Sequence, residues 1–249
     1  MVSIILISLC CALALTHPPT HSQVETAKKI AMEIDRQQLT SEPSLKIAQG
    51  LENIFSPAGK PITLKCKVAY TPSASFMWTF NGKPVQGNVA LNVEEKLMNV
   101  GKPIVESGML SSTFVMGCPS SENSGVYKCI ATNGHKTVES AAEIEIEGEN
   151  RNCESNKAPS IVQWSDSRFE METNVATLMC RADKPAEFTW IFNEKVINGG
   201  SRFEIMPYGD LLIKNVQWED MGSYICVARN KYGESEEVAF LYPTELRNL

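Results

Sequence analysis

Two stretches of the chain share the pattern Phe-x-Trp-x-Phe-Asn-x-Lys, and this repeat constrains the fold more than any other feature. The pattern reads FMWTFNGK at 76–83 and FTWIFNEK at 188–195. A cysteine precedes each copy, Cys66 in one and Cys180 in the other, within a segment of alternating apolar residues. Alternation with a period of two predicts a strand with one buried face. The repeat therefore predicts two similar β-domains with cysteine and tryptophan on buried faces.

Each copy closes with a second shared pattern, Gly-x-Tyr-x-Cys-x-Ala-x-Asn, at 125–133 and 222–230. A tyrosine two residues before a cysteine is typical of a tyrosine corner, where the hydroxyl bonds nearby backbone and the ring lies in the core. Because Cys…Trp…Tyr-x-Cys occurs twice, the chain resembles the immunoglobulin superfamily, and the second copy resembles an intermediate-set domain. In the first copy Asn123 and Pro119 depart from that pattern, which predicts an altered corner.

The resemblance implies an all-β fold of two tandem immunoglobulin-like β-sandwiches. We expect domain 1 at 45–147, a linker at 148–158, domain 2 at 159–243 and a tail at 244–249. It also implies one disulfide in each core, worth roughly 4 kcal/mol in the loop-entropy model. The implied disulfides and core residues are Cys66–Cys129, Cys180–Cys226, Trp78, Tyr127, Trp190 and Tyr224.

The amino terminus is an apolar run without charged side chains, which predicts a signal peptide over 1–16 with cleavage between 14 and 22. An uncleaved anchor is the alternative, but the apolar core is short for a membrane span. We therefore expect a secreted, extracellular protein with no membrane anchor. Residues 17–44 are expected to form a flexible extension, because their short apolar helical face makes only a marginal helix in isolation.

Two further cysteines, Cys118 and Cys153, are left after the core pairs and the signal peptide are set aside. In an immunoglobulin sandwich the E–F turn and the end of strand G lie at the same end, and each site holds one of these cysteines. A disulfide needs Cα atoms about 5.5 Å apart, which the short chain after strand G can reach. We predict a Cys118–Cys153 disulfide that limits interdomain motion. A free or intermolecular thiol is the alternative.

The first domain is longer than the second between its tryptophan and its second cysteine, and the extra residues lie around 87–108. This insertion predicts either extra edge strands or a short helix at VEEKLMNV. Since the second domain lacks it, the insertion is the candidate for partner-specific contact. A longer surface loop without a partner is the alternative.

Catalytic and metal-binding patterns are missing from the sequence. The histidines are His17, His21 and His135, and the last is expected to be an exposed turn residue. No Gly-x-Ser-x-Gly, His-Glu-x-x-His or Cys-x-x-Cys motif occurs. The formal net charge of −6 disfavours nucleic acid as a partner. We expect no enzyme activity, cofactor, metal or nucleic-acid partner.

A signal, a short extension and two immunoglobulin domains together resemble the secreted "zwei-Ig" proteins of nematodes over about 45–243. The resemblance implies neuronal adhesion, axon guidance or maintenance of axon position, with a neuronal surface receptor or matrix component as partner. These proteins are also similar to insect secreted two-immunoglobulin proteins that bind insulin-like peptides. That likeness implies the alternative function, sequestration of a peptide hormone.

Overall fold

The computed structural model describes residues 21–87, 92–148 and 157–245. The predicted signal peptide at 1–16 and Cys153 lie outside these residues. So does most of the predicted linker, together with the last residues of the tail.

Strands make up most of both domains. The elements of the first are α1 (His21–Gln38), β1 (Ser44–Gln49), β2 (Ile54–Pro57), β3 (Ile62–Thr71), β4 (Ser75–Phe80), β5 (Lys83–Gly87), α2 (Val93–Met98), β6 (Ser107–Met116), β7 (Gly125–Thr132) and β8 (Thr137–Glu147). Those of the second are β9 (Ile161–Met171), β10 (Ala176–Leu178), β11 (Cys180–Ala182), β12 (Glu187–Phe192), β13 (Lys195–Val196), β14 (Phe203–Ile205), β15 (Leu211–Ile213), β16 (Gly222–Asn230) and β17 (Gly233–Thr244). Short 3-10 turns at Ser121–Asn123 and Trp218–Asp220 precede β7 and β16.

In the first domain, the strands β1-β3-β6 face the strands β2-β8-β7-β4-β5. A disulfide between Cys66 on β3 and Cys129 on β7 joins the two layers, with an S–S distance of 2.19 Å. Trp78 on β4 is fully buried beside it, and its Nε1 donates to Ser112 Oγ on β6 at 2.9 Å. The alternating apolar faces recognised in the sequence therefore enclose one core.

The second domain repeats this arrangement with β10-β15-β14 against β17-β16-β12-β13. Its disulfide joins Cys180 on β11 to Cys226 on β16, with an S–S distance of 2.02 Å. Trp190 is buried in the core, and its Nε1 donates to the Gly209 carbonyl at 2.8 Å. Both domains are immunoglobulin-type β-sandwiches, so the predicted fold class is confirmed.

The two sandwiches are joined by strand pairing, a connection that the sequence patterns did not predict. Strand β6 of the first domain pairs antiparallel with β9 of the second, from Ser107↔Phe169 to Ser112↔Gln163. The other side of β9 pairs with β11 near its start and with β17 near its end. One sheet thus runs through both domains in the order β1-β3-β6-β9-β17-β16-β12-β13.

A bulge marks the joint between the domains. Met109 lies opposite Ser167 and Leu110 opposite Ser165, so Asp166 is an extra residue on β9. A bulge bends its strand and redirects a side chain. Here the carboxylate of Asp166 accepts a hydrogen bond from Lys67 Nζ on β3 at 2.6 Å, and so adds a side-chain tie between the two domains.

The prediction of a flexible extension over 17–44 is wrong for its described part. Residues 21–38 form α1, in which Ala31 and Ile34 are buried. Backbone hydrogen bonds continue this contact past the helix end, from Thr40 N to Ile104 O and from Ile104 N to Gln38 O, each 2.9 Å long. An apolar face that is marginal in isolation is stabilised here by tertiary packing.

The altered corner predicted for the first domain is also not observed. Tyr127 Oη donates to the Asn123 carbonyl at 2.9 Å, and Tyr224 Oη donates to the Asp220 carbonyl at the same distance. The Asn123 amide oxygen accepts from Ser120 N at 2.9 Å, as the Asp220 carboxylate does from its own turn. Asparagine can make this bond because it needs only an acceptor oxygen.

Gly108, next to the bulge, provides a test of the interdomain pairing. It has a φ of +158°, and an added Cβ would lie 2.1 Å from the Ser167 carbonyl oxygen. We expect Gly108→Ala to lower the free energy of unfolding by about 2 kcal/mol or more, because backbone must move on both sides of the joint. Urea denaturation measures the loss, with Gly117→Ala as control, since its Cβ would meet no atom within 4 Å. Equal midpoints for the two variants would contradict a tightly packed joint.

Candidate protein-binding surface

The core residues singled out in the sequence lie in the interior and do not form a binding surface. Trp78, Tyr127, Trp190 and Tyr224 are all buried around the two disulfides. Burial raises the pKa of the Tyr127 hydroxyl, and the same cause acts on Tyr224. The two tyrosine hydroxyls donate the hydrogen bonds of the tyrosine corners. These buried side chains therefore contribute to stability and not to binding.

Cys118 lies in the turn after β6 and takes part in a disulfide. The turn is held to the chain after β2, where Gly59 N donates to the Pro119 carbonyl at 2.8 Å. Cys153 lies outside the described residues, so the pairing of these two cysteines stays a prediction.

Non-reduced peptide mapping of the native protein tests that pairing. We expect one peptide pair to contain Cys118 and Cys153, because Cys118 is disulfide-bonded while the described cores pair Cys66 with Cys129 and Cys180 with Cys226. An alkylated Cys153 in the native monomer would contradict the prediction.

The insertion at 87–108 contains the short helix α2, as one of the two sequence alternatives predicted. Residues 88–91 lie outside the described part. Between 92 and 106 the chain forms no extra edge strand, apart from a single bridge between Ile104 and Leu39. The helix packs against α1 and against the start of the second domain.

Six charged side chains meet where α1, α2 and β9 come together, and we call this contact the seam. Each is 2% exposed or less. The six are Asp35, Glu95, Lys96, Glu106, Arg168 and Glu170. Buried charges are costly unless they are paired, so the geometry of the pairs decides whether the seam holds.

Lys96 occupies one half of the seam. Its Nζ donates to the carboxylates of both Asp35 on α1 and Glu106 on the insertion. The lysine therefore links the amino-terminal helix to the insertion.

Arg168 occupies the other half. One of its guanidinium nitrogens donates to Glu95 on α2 and to Glu170 on β9, the latter at 2.8 Å. The Glu170 carboxylate also accepts the backbone N–H groups of Val105 and Glu106 at 3.0 and 3.1 Å. The arginine thus connects the insertion of the first domain to the second domain.

Asn99 adds a neutral contact across the same boundary. Its side-chain amide donates to the Val175 carbonyl and accepts the Val175 N–H, both at 2.8 Å. The amide thus makes the two hydrogen bonds that the backbone of a paired strand would make. Lys102 Nζ donates to the Thr173 carbonyl at 2.8 Å. Replacing 87–108 with a short turn would remove these contacts, so the insertion is part of the interdomain structure and not an independent loop.

His135 is not the exposed turn residue that the sequence predicted. Its Nε2 lies 3.2 Å from Asp35 Oδ2, and α1 partly covers the ring. Helix α1, which was predicted to be flexible, brings Asp35 of the seam next to this histidine.

Helix α2 and the turn after it expose apolar side chains together with Glu94, while two charged side chains are buried. Leu97, Met98 and Val100 are 43%, 41% and 57% exposed, whereas Glu95 and Lys96 are buried. This is the reverse of an ordinary surface helix, whose apolar stripe faces the core. An apolar surface next to an ordered seam is a candidate protein-binding surface.

A second apolar row crosses the outer face of the second domain. Val196, Ile191, Ile225 and Val238 lie directly opposite one another on β13, β12, β16 and β17. Val196 and Val238 are exposed, and Phe240 continues the row along β17. The sequence carried a signal for this face in the unbroken apolar run VAFLY at 238–242, because a strand with one buried face would alternate.

The described residues contain neither a metal site nor a membrane-spanning helix. No group of histidine, cysteine, aspartate and glutamate side chains there has the arrangement of a metal site. No described helix is both long and apolar enough to cross a membrane.

Comparison with known proteins assigns the family. The family model described as "Immunoglobulin domain" matches residues 42–133 and 158–230. The chain is 47% identical over 247 residues to Zwei Ig domain protein zig-4 of Caenorhabditis elegans, covering 98% of each chain. The chain belongs to the zwei Ig domain proteins. A second zwei Ig domain protein of that species, zig-3, is 46% identical and covers 97% of this chain and 98% of its own.

A more distant insect relative shares the arrangement of both domains. Neural/ectodermal development factor IMP-L2 of Drosophila melanogaster is 26% identical over 230 residues, 89% of this zwei Ig domain protein and 82% of IMP-L2. A crystal structure of neural ectodermal development factor IMP-L2 superposes with a TM-score of 0.64 at 24% identity, covering 82% of this chain and 96% of that chain. One superposition across so much of both chains indicates a shared two-domain fold.

Breaking the seam provides a test of its role in this zwei Ig domain protein. We expect Arg168→Met to lower the free energy of unfolding by about 3–5 kcal/mol, because Glu95 and Glu170 would stay buried without their cation. Lys128→Met is the matched control, since Lys128 pairs with Glu139 on the exposed surface and should cost about 1 kcal/mol or less. Urea denaturation of both variants measures the difference. Similar costs would show that the seam adds no more than a surface pair.

Proposed function

We propose that this protein is a secreted, non-enzymatic binding protein that holds an extracellular protein partner against the apolar surface of its insertion. The observation that carries the proposal is the reversed polarity of α2, with Leu97, Met98 and Val100 exposed above buried charges. Apolar side chains on an ordered support favour binding, because little conformational entropy is lost when the partner docks.

The rigid connection between the domains supports the same proposal. Pairing of β6 with β9 and the ion pairs of Arg168 restrain the insertion relative to both sandwiches. A partner can then dock on the insertion without first ordering a hinge. The exposed side chains of the insertion are apolar, as expected for contact with a protein partner.

For the partner we propose a neuronal surface receptor or a matrix component, with a role in adhesion, axon guidance or maintenance of axon position. The support is family membership, since the 47% identity to zig-4 extends over the whole zwei Ig architecture. The name of the insect relative, Neural/ectodermal development factor, agrees with a role in neural tissue.

A second candidate function is sequestration of an insulin-like peptide. It is favoured by one observation, the common two-domain arrangement with IMP-L2 over 96% of that chain. The insect secreted two-immunoglobulin proteins to which the zwei-Ig family is similar bind such peptides. This candidate differs from the first in its prediction of a small, disulfide-linked ligand.

Charged substitutions on the insertion test the proposed surface. We expect Leu97→Glu combined with Val100→Glu to weaken binding to the native partner at least tenfold, because two exposed apolar contacts would be replaced by charges that must be desolvated. Phe55→Glu is the control, since Phe55 is 64% exposed on the edge strand β2, away from the insertion. Biolayer interferometry against the captured partner measures affinity, and thermal unfolding checks that all variants fold.

The partner itself is found by affinity capture of the secreted protein from extracellular fluid, followed by mass spectrometry. A membrane ectodomain or matrix protein supports the first function, and an insulin-like peptide supports the second. Full binding by the double glutamate variant would place the contact elsewhere on the molecule.

A further inference from the structure

The charges in the seam do not balance. It contains four carboxyl groups, from Asp35, Glu95, Glu106 and Glu170, against the two cations Lys96 and Arg168. All six side chains are buried, so neither water nor salt screens the excess negative charge. Carboxyl groups that share so small a space relieve their repulsion by retaining a proton.

The hydrogen bonds indicate which carboxyl group holds the proton. Glu170 accepts from Arg168 and several N–H groups, and Glu95 accepts from Arg168 and from Asn92 Nδ2 at 2.7 Å. Glu106 accepts from Lys96, which it shares with Asp35, and at 3.4 Å from Asn92. Asp35 has the same lysine but also lies 3.2 Å from His135 Nε2, so of the four carboxyl groups Glu106 has the longest second contact.

The electrostatic surroundings of Glu106 agree with this assignment. Burial, opposed by Lys96, raises the pKa of Glu106 to about 7, and the nearby carboxylates add to the rise. Groups from every packed element contribute to its surroundings: Asp35 on α1, Glu95 and Lys96 on α2, Arg168 and Glu170 on β9, and Tyr70 on β3. His135 reaches the same cluster through Asp35.

We propose that the seam is a proton-linked latch, in which protonation of Glu106 on mild acidification locks α1 and the insertion onto the second domain. As pH rises through neutrality Glu106 ionises, and the latch loosens. The device goes beyond binding itself, because it acts on the support of the insertion and needs no partner.

The sign of the pH effect follows from the linkage between proton binding and closing of the seam. The pKa of Glu106 is raised from 4.5 to about 7 in the closed seam, so the closed state binds the proton more tightly than the open state. Protonation of Glu106 stabilises the closed seam fully below about pH 4.5, and this stabilisation is lost as pH rises through about 7. Between pH 6 and pH 8 the equilibrium constant for opening should rise about tenfold.

The elements that respond are those joined through the seam. Asp35 on α1 and Glu106 share Lys96, and Glu95 on α2 shares Arg168 with Glu170. Opening should therefore release α1 and residues 92–104 together, while the disulfide-linked sandwiches stay closed.

Hydrogen–deuterium exchange of the full secreted protein at pH 6 and pH 8, corrected for intrinsic exchange rates, tests the latch. We expect opening of α1 and of 92–104 to be about tenfold more frequent at pH 8 in the wild type. Glu106→Gln, which stays neutral, should remove that difference and keep the pH 8 protein closed. Glu139→Gln, at an exposed pair on β8, is the control and should behave as the wild type does.

His135→Gln separates the histidine from the glutamate, because a protonated imidazole beside Asp35 would also favour closing in acid. A tenfold difference that persists in His135→Gln and disappears in Glu106→Gln supports the proposal. An unchanged pH dependence in Glu106→Gln, or loss of the dependence in His135→Gln, would overturn it. Should Glu106→Gln fold poorly, equal opening of wild-type α1 at the two pH values would overturn it as well.

Discussion

The pairing of β6 with β9 is the interaction on which the rest of the molecule depends. Without it, β6 would be an open edge, with unpaired backbone groups of the kind that promote association between chains. Pairing satisfies those groups within the molecule and sets the register of the domains through the bulge at Asp166. Because backbone hydrogen bonds fix this register, the insertion and α1 have a defined surface on which to pack.

The seam shows why charged residues are suited to that second contact. An apolar interface of the same size could be as stable, because the burial of charges is itself costly. Arg168 requires carboxylates from α2 and β9 at fixed positions, and Asn99 fits the two backbone groups of Val175. The seam therefore selects one arrangement of the insertion. The predicted Cys118–Cys153 disulfide would further restrain an interdomain interface that is already ordered.

The sequence predicted the two sandwiches because their signals are local and repeated. Cys66, Trp78 and Tyr127 recur in the second copy with the same alternation, and the structure places all of them in the core. The joint could not be read in this way, since an edge strand that pairs between domains has the same period as any other strand. The seam could not be predicted either, because in the sequence Glu106 and Arg168 look like ordinary surface charges. They become buried only when segments distant in sequence pack together.

These two long-range contacts also explain the reversed polarity of α2. Charges on a helix can face inward only where partners neutralise them. Arg168 on β9 is the partner of Glu95, and Asp35 on α1 and Glu106 are the partners of Lys96. With Glu95 and Lys96 buried in the seam, the exposed side chains of the short helix are Glu94, Leu97 and Met98. Exposure of apolar residues lowers solubility, so a chain that keeps them outside gains by covering them with a partner. The strand pairing thus places Arg168 beside Glu95, and burial of Glu95 and Lys96 leaves apolar side chains on the outer side of α2.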